Sequence, residues 1–203
     1  MLSAVRDAFV NDGANGAGRL VLVVGPSGAG KDSVIGWVQA HVDRTDGVRF
    51  APRLVTRLAP GGSADIPVTE ARFEALAAAG AFALEWRANG YRYGVPCVIE
   101  RWLADGATVV VNGSRENLAE ARRRFPALEA VHVTAPALVL ARRLALRGRE
   151  PRGEALRRLA RNGAAFAQVP DAALTIFNTG SLEQAGEPLL RFLRGRTGRA
   201  AAR

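Results

Sequence analysis

Arg19–Val24 (RLVLVV) runs directly into Gly25–Ser33 (GPSGAGKDS), and this junction restricts the fold more than any other stretch. Six residues, five of them leucine or valine, predict a parallel strand buried on both faces. Asp32–Asp43 then places Val34, Ile35, Trp37 and Val38 at helical spacing. Strand, glycine loop and helix are the setting of the phosphate-loop pattern G-x-x-x-x-G-K-[ST]. In that pattern backbone N–H groups wrap a phosphate while the next helix presents its positive end. Gly25, Pro26, Ser27, Gly28, Ala29 and Gly30 form the expected cradle, and Lys31 adds a full charge.

Composition sharpens the role of that lysine. Of 28 Lys and Arg residues, Lys31 is the one lysine. Arginine everywhere else, beside abundant Ala and Gly, reads as a base-composition bias. A lysine retained against such a bias marks a place where a guanidinium fails. A compact ammonium reaches between phosphates inside a tight loop, whereas a planar fork is too large. The next residue departs from the pattern, because Asp32 stands where a hydroxyl is usual, with Ser33 after it. Its carboxylate is a hard oxygen ligand for Mg²⁺, or it serves the helix N-terminus while Ser33 faces the metal. The metal role explains better why a negative charge sits beside a triphosphate.

A chain of 203 residues suits one domain, and 48% hydrophobic with 23% charged residues suits a globular one. One cysteine, Cys97, leaves no internal disulfide and suggests a reducing, cytoplasmic setting. The opening MLSAVRDAFVNDGANGAG has no long apolar core and does not read as a signal peptide. Nor does any apolar run approach the ~20 residues of a membrane span. The net charge of +9 favours an anionic partner. Nucleic acid fits poorly, because aromatics are 6% and are not interleaved with the basic residues.

Residues 1–18 read as loosely ordered, and RGRTGRAAAR at the end as a frayed tail from about 196. Between them strands are expected at Val48–Thr56, Ala107–Val111, Glu129–Thr134 and Ala173–Phe177. Helices are expected at Thr69–Ala79, with Thr69 as N-cap and Gly80 as stop, and at Pro96–Asp105, Glu116–Arg124, Pro136–Arg147, Glu154–Ala167 and Leu182–Leu193. Ala81–Tyr93 suggests a small antiparallel excursion. Alternating strands and helices imply an α/β fold, a parallel sheet covered on both faces. The core spans 19–195, with insertions near 53–95 and 147–158.

The second insertion is dense in arginine, with Arg143, Arg147, Arg149, Arg152 and Arg158 in or near it, between possible hinges at Gly148 and Gly153. Phosphoryl transfer needs positive charge over the migrating group and needs water shut out, and an arginine lid does both. The first insertion faces the acceptor. Arg53 and Arg57 sit beside a glycine turn, with Glu85 in FALEW and Tyr93 in YRYGVP; together they outline a polyanion pocket. His41, His132 and Cys97 have no catalytic companions in sequence and read as structural.

These segments in this order resemble the guanylate-kinase branch of the P-loop kinases over about residues 19–193. Val55–Arg57 (VTR) sits where that branch has an acceptor-phosphate arginine, and Arg143, Arg147 and Arg158 match its lid arginines. Ile176–Asn178 (IFN) resembles its late strand near adenine. The base-reading positions depart, with Ile66 or its neighbours and Val95 in place of polar groups, and Asn112 in place of the strand-end acid. GKDS, GAFALEW, YGVP, VNGSR and RGRE together resemble the ribose 1,5-bisphosphate phosphokinase (PhnN) family of phosphonate breakdown. That resemblance implies a three-layer P-loop NTPase fold with a parallel five-stranded core sheet. It also implies ATP and Mg²⁺ as cofactors and formation of 5-phosphoribosyl 1-diphosphate (PRPP). Lys31, Arg147 and Arg158 would be catalytic, the 25–33 loop with Arg143 and Asn178 would hold ATP, and Asp32 the metal. Arg53, Arg57, Glu85, Tyr93, Asn112 and Arg115 would bind the sugar. The expected partners are the small substrate and ATP, without a membrane; a homodimer stays open.

Two other functions fit parts of the sequence. A nucleoside monophosphate kinase would use Glu85 to take the N–H groups of guanine. A non-catalytic nucleotide-binding module would bind ATP without transfer, which an intact loop with Lys31 argues against.

Overall fold

The computed structural model describes residues 18–57, 65–146, 169 and 171–195. Strand β1 (Arg19–Val24) lies at the centre of a five-stranded parallel sheet, and Val21 to Val24 are fully buried. Its side chains alternate between two cores, which is why the run is apolar throughout. Val21 and Val23 pack on one face with helices α1 (Lys31–His41), α5 (Ala137–Leu146) and α6 (Leu182–Arg194). Leu20, Leu22 and Val24 pack on the other with α3 (Val98–Ala104) and α4 (Leu118–Arg124). The expected three layers are present.

The sheet also holds β2 (Val48–Phe50), β7 (Thr108–Asn112), β8 (Glu129–Thr134) and β9 (Leu174–Phe177), in the order β2-β7-β1-β8-β9. The chain leaves β1 to one side and later returns to the other. The carboxyl end of β1 is therefore the switch point where open α/β sheets bind ligands. There the register sets Val23 beside Asn112 and Val24 beside His132.

A second sheet, ordered β4-β3-β6-β5, forms from β3 (Leu54–Val55), β4 (Ile66–Pro67), β5 (Phe82–Ala88) and β6 (Tyr91–Pro96). Helix α2 (Glu70–Ala78) enters between β4 and β5, with Thr69 accepting from the Arg72 amide at 3.2 Å. Asn89 (φ 51°) and Gly90 (φ 79°) close the β5–β6 hairpin, the left-handed pair that a two-residue turn demands. The antiparallel excursion expected at 81–93 is this hairpin.

The single strand expected over Val48–Thr56 is instead two strands in different sheets. The Ala51 amide still reaches Val110 O at 2.9 Å in the core sheet, whereas Arg53 O accepts from Ile66 in the second. Pro52 between them has no N–H to offer a ladder, so the chain changes sheets there. The helix expected at Glu116–Arg124 opens as a 3₁₀ turn, Arg115–Asn117, before α4. The lid at 147–158 and the helix at Glu154–Ala167 lie outside the described residues, as do 1–17 and 196–203. Among the described residues no helix is long and apolar enough to cross a membrane.

Two glycines make opposite predictions. Gly36 in α1 has open space around its Cβ position, so Gly36→Ala gains about 0.5–1 kcal/mol of helix propensity. At Gly186 in α6 an added Cβ would lie 2.1 Å from the Trp37 ring. Gly186→Ala there costs about 1–3 kcal/mol through overpacking. Denaturant midpoints of the two variants should move in opposite directions.

Candidate functional site

The 25–30 loop closes over the carboxyl end of β1. Gly25, Gly28 and Gly30 hold positive φ of 154°, 85° and 84°. A Cβ on Gly25 would fall 1.9 Å from Val133 O, so this position excludes a side chain twice over. Lys31 Nζ curls back and donates to Gly25 O at 2.8 Å and Pro26 O at 3.3 Å. The cradle and its cation are thus formed by residues contiguous in sequence.

Asn178, at the end of β9, is buried and donates from Nδ2 to Ala29 O at 2.8 Å. It braces the loop from behind. A cleft lined by Gly28, Gly30, Ser33, Arg143 and Asn178 opens beside it. The Arg143 guanidinium reaches this cleft, and its NH1 is buried without a hydrogen-bond partner among the described residues. A buried cationic donor facing a phosphate loop fits an anionic ligand.

On the other side of the loop a chain of polar contacts leads to the second sheet. Asn112 Nδ2 donates to Asp32 Oδ1 at 2.6 Å, and Arg53 NH2 lies 3.4 Å from the same oxygen. Arg53 is itself buried; its Nε donates to Asp65 Oδ1 at 2.8 Å and its NH1 to Asn112 O at 2.9 Å. Asp65 Oδ2 accepts from Arg57 NH2 at 3.0 Å. Tyr93 lies beneath Arg53, 5.5 Å from guanidinium carbon to ring centroid, and stacks on Trp86 at 5.3 Å. The structure therefore brings together Asp32, Asn112, Arg53, Arg57 and Tyr93.

Glu85 stands apart. It neighbours Trp86 on β5, and strand alternation turns it to the opposite face from the Trp86–Tyr93 stack. There it lies 4.0 Å from Arg92, which also pairs with Glu70 and Glu74 of α2 and covers the Phe73 ring. Arg115 is half-buried after β7, and burial lowers its pKa. Arg147 and Arg158 lie outside the described residues.

Three residues at this site were not assigned roles from sequence. Asp65 joins Arg53 and Arg57; it is the acid next after them in the chain, ahead of α2, which is the available signal. Trp86 forms the stack with Tyr93. His132 is 2% exposed, and neither ring nitrogen has a hydrogen-bond partner among the described residues. Its pKa is lowered first by burial, then by the charges of Arg115 and Lys31. Burial, reinforced by these two cations, disfavours the protonated ring. A histidine whose folded pKa lies below its unfolded value of 6.5 is protonated first in the unfolded chain. Stability should therefore fall as pH drops below about 6.5, and the loss should be smaller in His132→Gln. Melting temperatures at pH 7.5, 6.5 and 5.5 test this, a window above the acid range where the lowered Asp46 contributes.

Among the described residues no group of three or more His, Cys, Asp or Glu gathers as a cage. Mg²⁺ usually keeps waters and takes one or two carboxylates plus nucleotide phosphates, so a single half-exposed Asp32 beside the loop fits it.

No family model matches the chain. A ribose 1,5-bisphosphate phosphokinase PhnN from Burkholderia pseudomallei is 47% identical over 180 residues, covering 88% of this chain and 97% of that one. The protein of the same name from Azotobacter vinelandii is 47% identical over 180 residues, with the same coverage of 88% and 97%. The crystal structure of guanylate kinase from Anaplasma phagocytophilum matches with a TM-score of 0.66 at 16% identity, over 89% of this chain and 87% of that one. That likeness is one of fold. Near-full-length relatives at this identity place the chain: it belongs to the ribose 1,5-bisphosphate phosphokinase PhnN family.

Proposed function

We propose that the chain transfers the γ-phosphoryl group of ATP to ribose 1,5-bisphosphate, giving PRPP and ADP, in the cytoplasm. An oxygen of the sugar's 1-phosphate attacks the γ-phosphorus, the bond from γ-phosphorus to the β,γ-bridging oxygen breaks, and ADP leaves. The nucleophile is already an anion, so no general base is needed, and catalysis reduces to positioning and charge. The loop amides and Lys31 hold the triphosphate, and Arg143 meets it from α5. Arg53 and Arg57 hold acceptor phosphate, with Arg115 at the end of β7 as a further cation. Arg147 and Arg158 are assigned to the migrating phosphoryl by resemblance. When bound, Mg²⁺ offsets phosphate charge, with Asp32 as its protein ligand.

The observation that carries the reading is the position of Arg53. One guanidinium touches the phosphate-loop carboxylate Asp32 and the acceptor-side carboxylate Asp65, so it spans the two halves between which phosphate must pass. Family membership supports the sugar bisphosphate as acceptor. The placement of Glu85 against Arg92 favours it over guanine, because the carboxylate that would read the base faces away from Tyr93.

The test incubates the protein with ATP, Mg²⁺ and either ribose 1,5-bisphosphate or GMP, and measures PRPP and ADP. PRPP formation with little turnover of GMP is expected. Turnover of GMP with none of the sugar favours a nucleoside monophosphate kinase, and ATP binding without transfer favours a binding module.

A further inference from the structure

In phosphate-loop enzymes the metal is commonly held by a loop hydroxyl and by an aspartate at a neighbouring strand end, one negative charge in all. Here both positions differ at once. The loop position holds Asp32, and the end of β7, the strand paired with β1, holds Asn112. The sum is again one negative charge, with its place exchanged.

The contacts between the two residues say how the exchange works. A carboxylate only accepts, so the 2.6 Å contact with Asp32 Oδ1 fixes the Asn112 amide with its nitrogen toward Asp32. That leaves Asn112 Oδ1 buried with no donor among the described residues. Buried acceptors of this kind are rare and need an explanation. Asp32 itself has a side chain 51% exposed, and among the described residues both of its contacts fall on Oδ1, leaving Oδ2 for another partner. An aspartate at 112 would put two carboxylates within hydrogen-bonding distance, which Arg53 alone would have to offset. One site or the other carries the charge.

We propose, on the reading that the chain uses MgATP, that Asp32 and Asn112 form one metal site with transposed charge. Asp32 faces Mg²⁺ and Asn112 Oδ1 accepts from a water in the metal's shell. Ser33, the hydroxyl one position beyond the pattern's own, then belongs to the cleft beside Arg143 rather than to the metal.

Metal binding is read directly, by Mn²⁺ paramagnetic resonance in the presence of a non-hydrolysable ATP analogue. The affinity of that analogue is measured with and without Mg²⁺. In the unaltered protein Mg²⁺ tightens the analogue. Asp32→Ser is expected to weaken Mn²⁺ about 10- to 100-fold, and Asn112→Ala about tenfold, while analogue affinity in the absence of metal rises in Asp32→Ser, which no longer repels the triphosphate. The double variant Asp32→Ser/Asn112→Asp is expected to recover most of the loss, since it restores the ordinary arrangement. Wild-type Mn²⁺ affinity in Asp32→Ser overturns the proposal. So does a double variant that stays folded by circular dichroism yet binds Mn²⁺ no better than Asp32→Ser. If the double variant does not fold, Asn112→Ala decides: undiminished Mn²⁺ affinity there overturns the water contact. An unaltered protein that binds the analogue with no gain from Mg²⁺ overturns the MgATP reading itself, and the metal site with it.

Discussion

Lys31→Met should lower kcat by about 10³-fold while leaving the melting temperature close to wild type. The ammonium now rests on the carbonyls of Gly25 and Pro26, at 2.8 and 3.3 Å, both within its own loop. These contacts tie the lysine to the mouth of the site and do not hold the core together; β1 is packed by Val21 to Val24 whether or not the lysine is present. A triphosphate offers the same ammonium full negative charge, and the two carbonyls are a neutral stand-in. Removing it takes charge from the transition state, where the γ-phosphoryl is in transit, more than from the folded state. Lys31→Arg should fare almost as badly, because a planar fork cannot take the compact position of the ammonium at the carbonyls of Gly25 and Pro26. Steady-state rates with melting curves measure both effects. A Lys31→Met protein that turns over within tenfold of wild type would remove the phosphate loop from the mechanism.

The loop was legible in sequence because every part of it is local: an apolar strand, glycines at fixed offsets, a helix start. What lay beyond was set by pairing across the fold. β2 and β3 are three and two residues long, too short for a period, and Pro52 was the cue that separates them. His132 reads as one polar residue in an apolar strand. Its nearness to Lys31 and Arg115 exists only because β8 pairs with β1 in the register that sets Val24 beside His132. Sequence order groups Glu85 and Tyr93 in one pocket, yet the alternation of a strand separates Glu85 from the ring face. Asn112 was visible as a missing acid, but that its amide meets Asp32 depends on a contact spanning 80 residues.

Asp65 carries the other large effect. Its side chain is 3% exposed, and each oxygen has its own arginine, Oδ1 with Arg53 and Oδ2 with Arg57. Replacing a buried ion pair with apolar residues often costs little, so such a triad is poor evidence for stability as its purpose. Its geometry suits positioning. Arg57 spends NH2 on Asp65, while its Nε is buried without a partner among the described residues, a donor that the proposed function would give to a phosphate oxygen. Asp65→Ala strands the Arg53 charge and should cost about 3–5 kcal/mol of stability. Asp65→Asn keeps the shape and is the more telling change. One of its two terminal atoms becomes a donor facing a guanidinium that can only donate, so one arginine loses its hold. A misplacement of about 1 Å in a positioning group costs on the order of 10²-fold. In Asp65→Asn, kcat/KM for ribose 1,5-bisphosphate should therefore fall by about that factor. KM for ATP should change far less, because Asp65 orients Arg53 and Arg57, whereas the Lys31 ammonium rests on its own loop. Equal losses for both substrates would mean that Asp65 supports the whole site rather than its acceptor half.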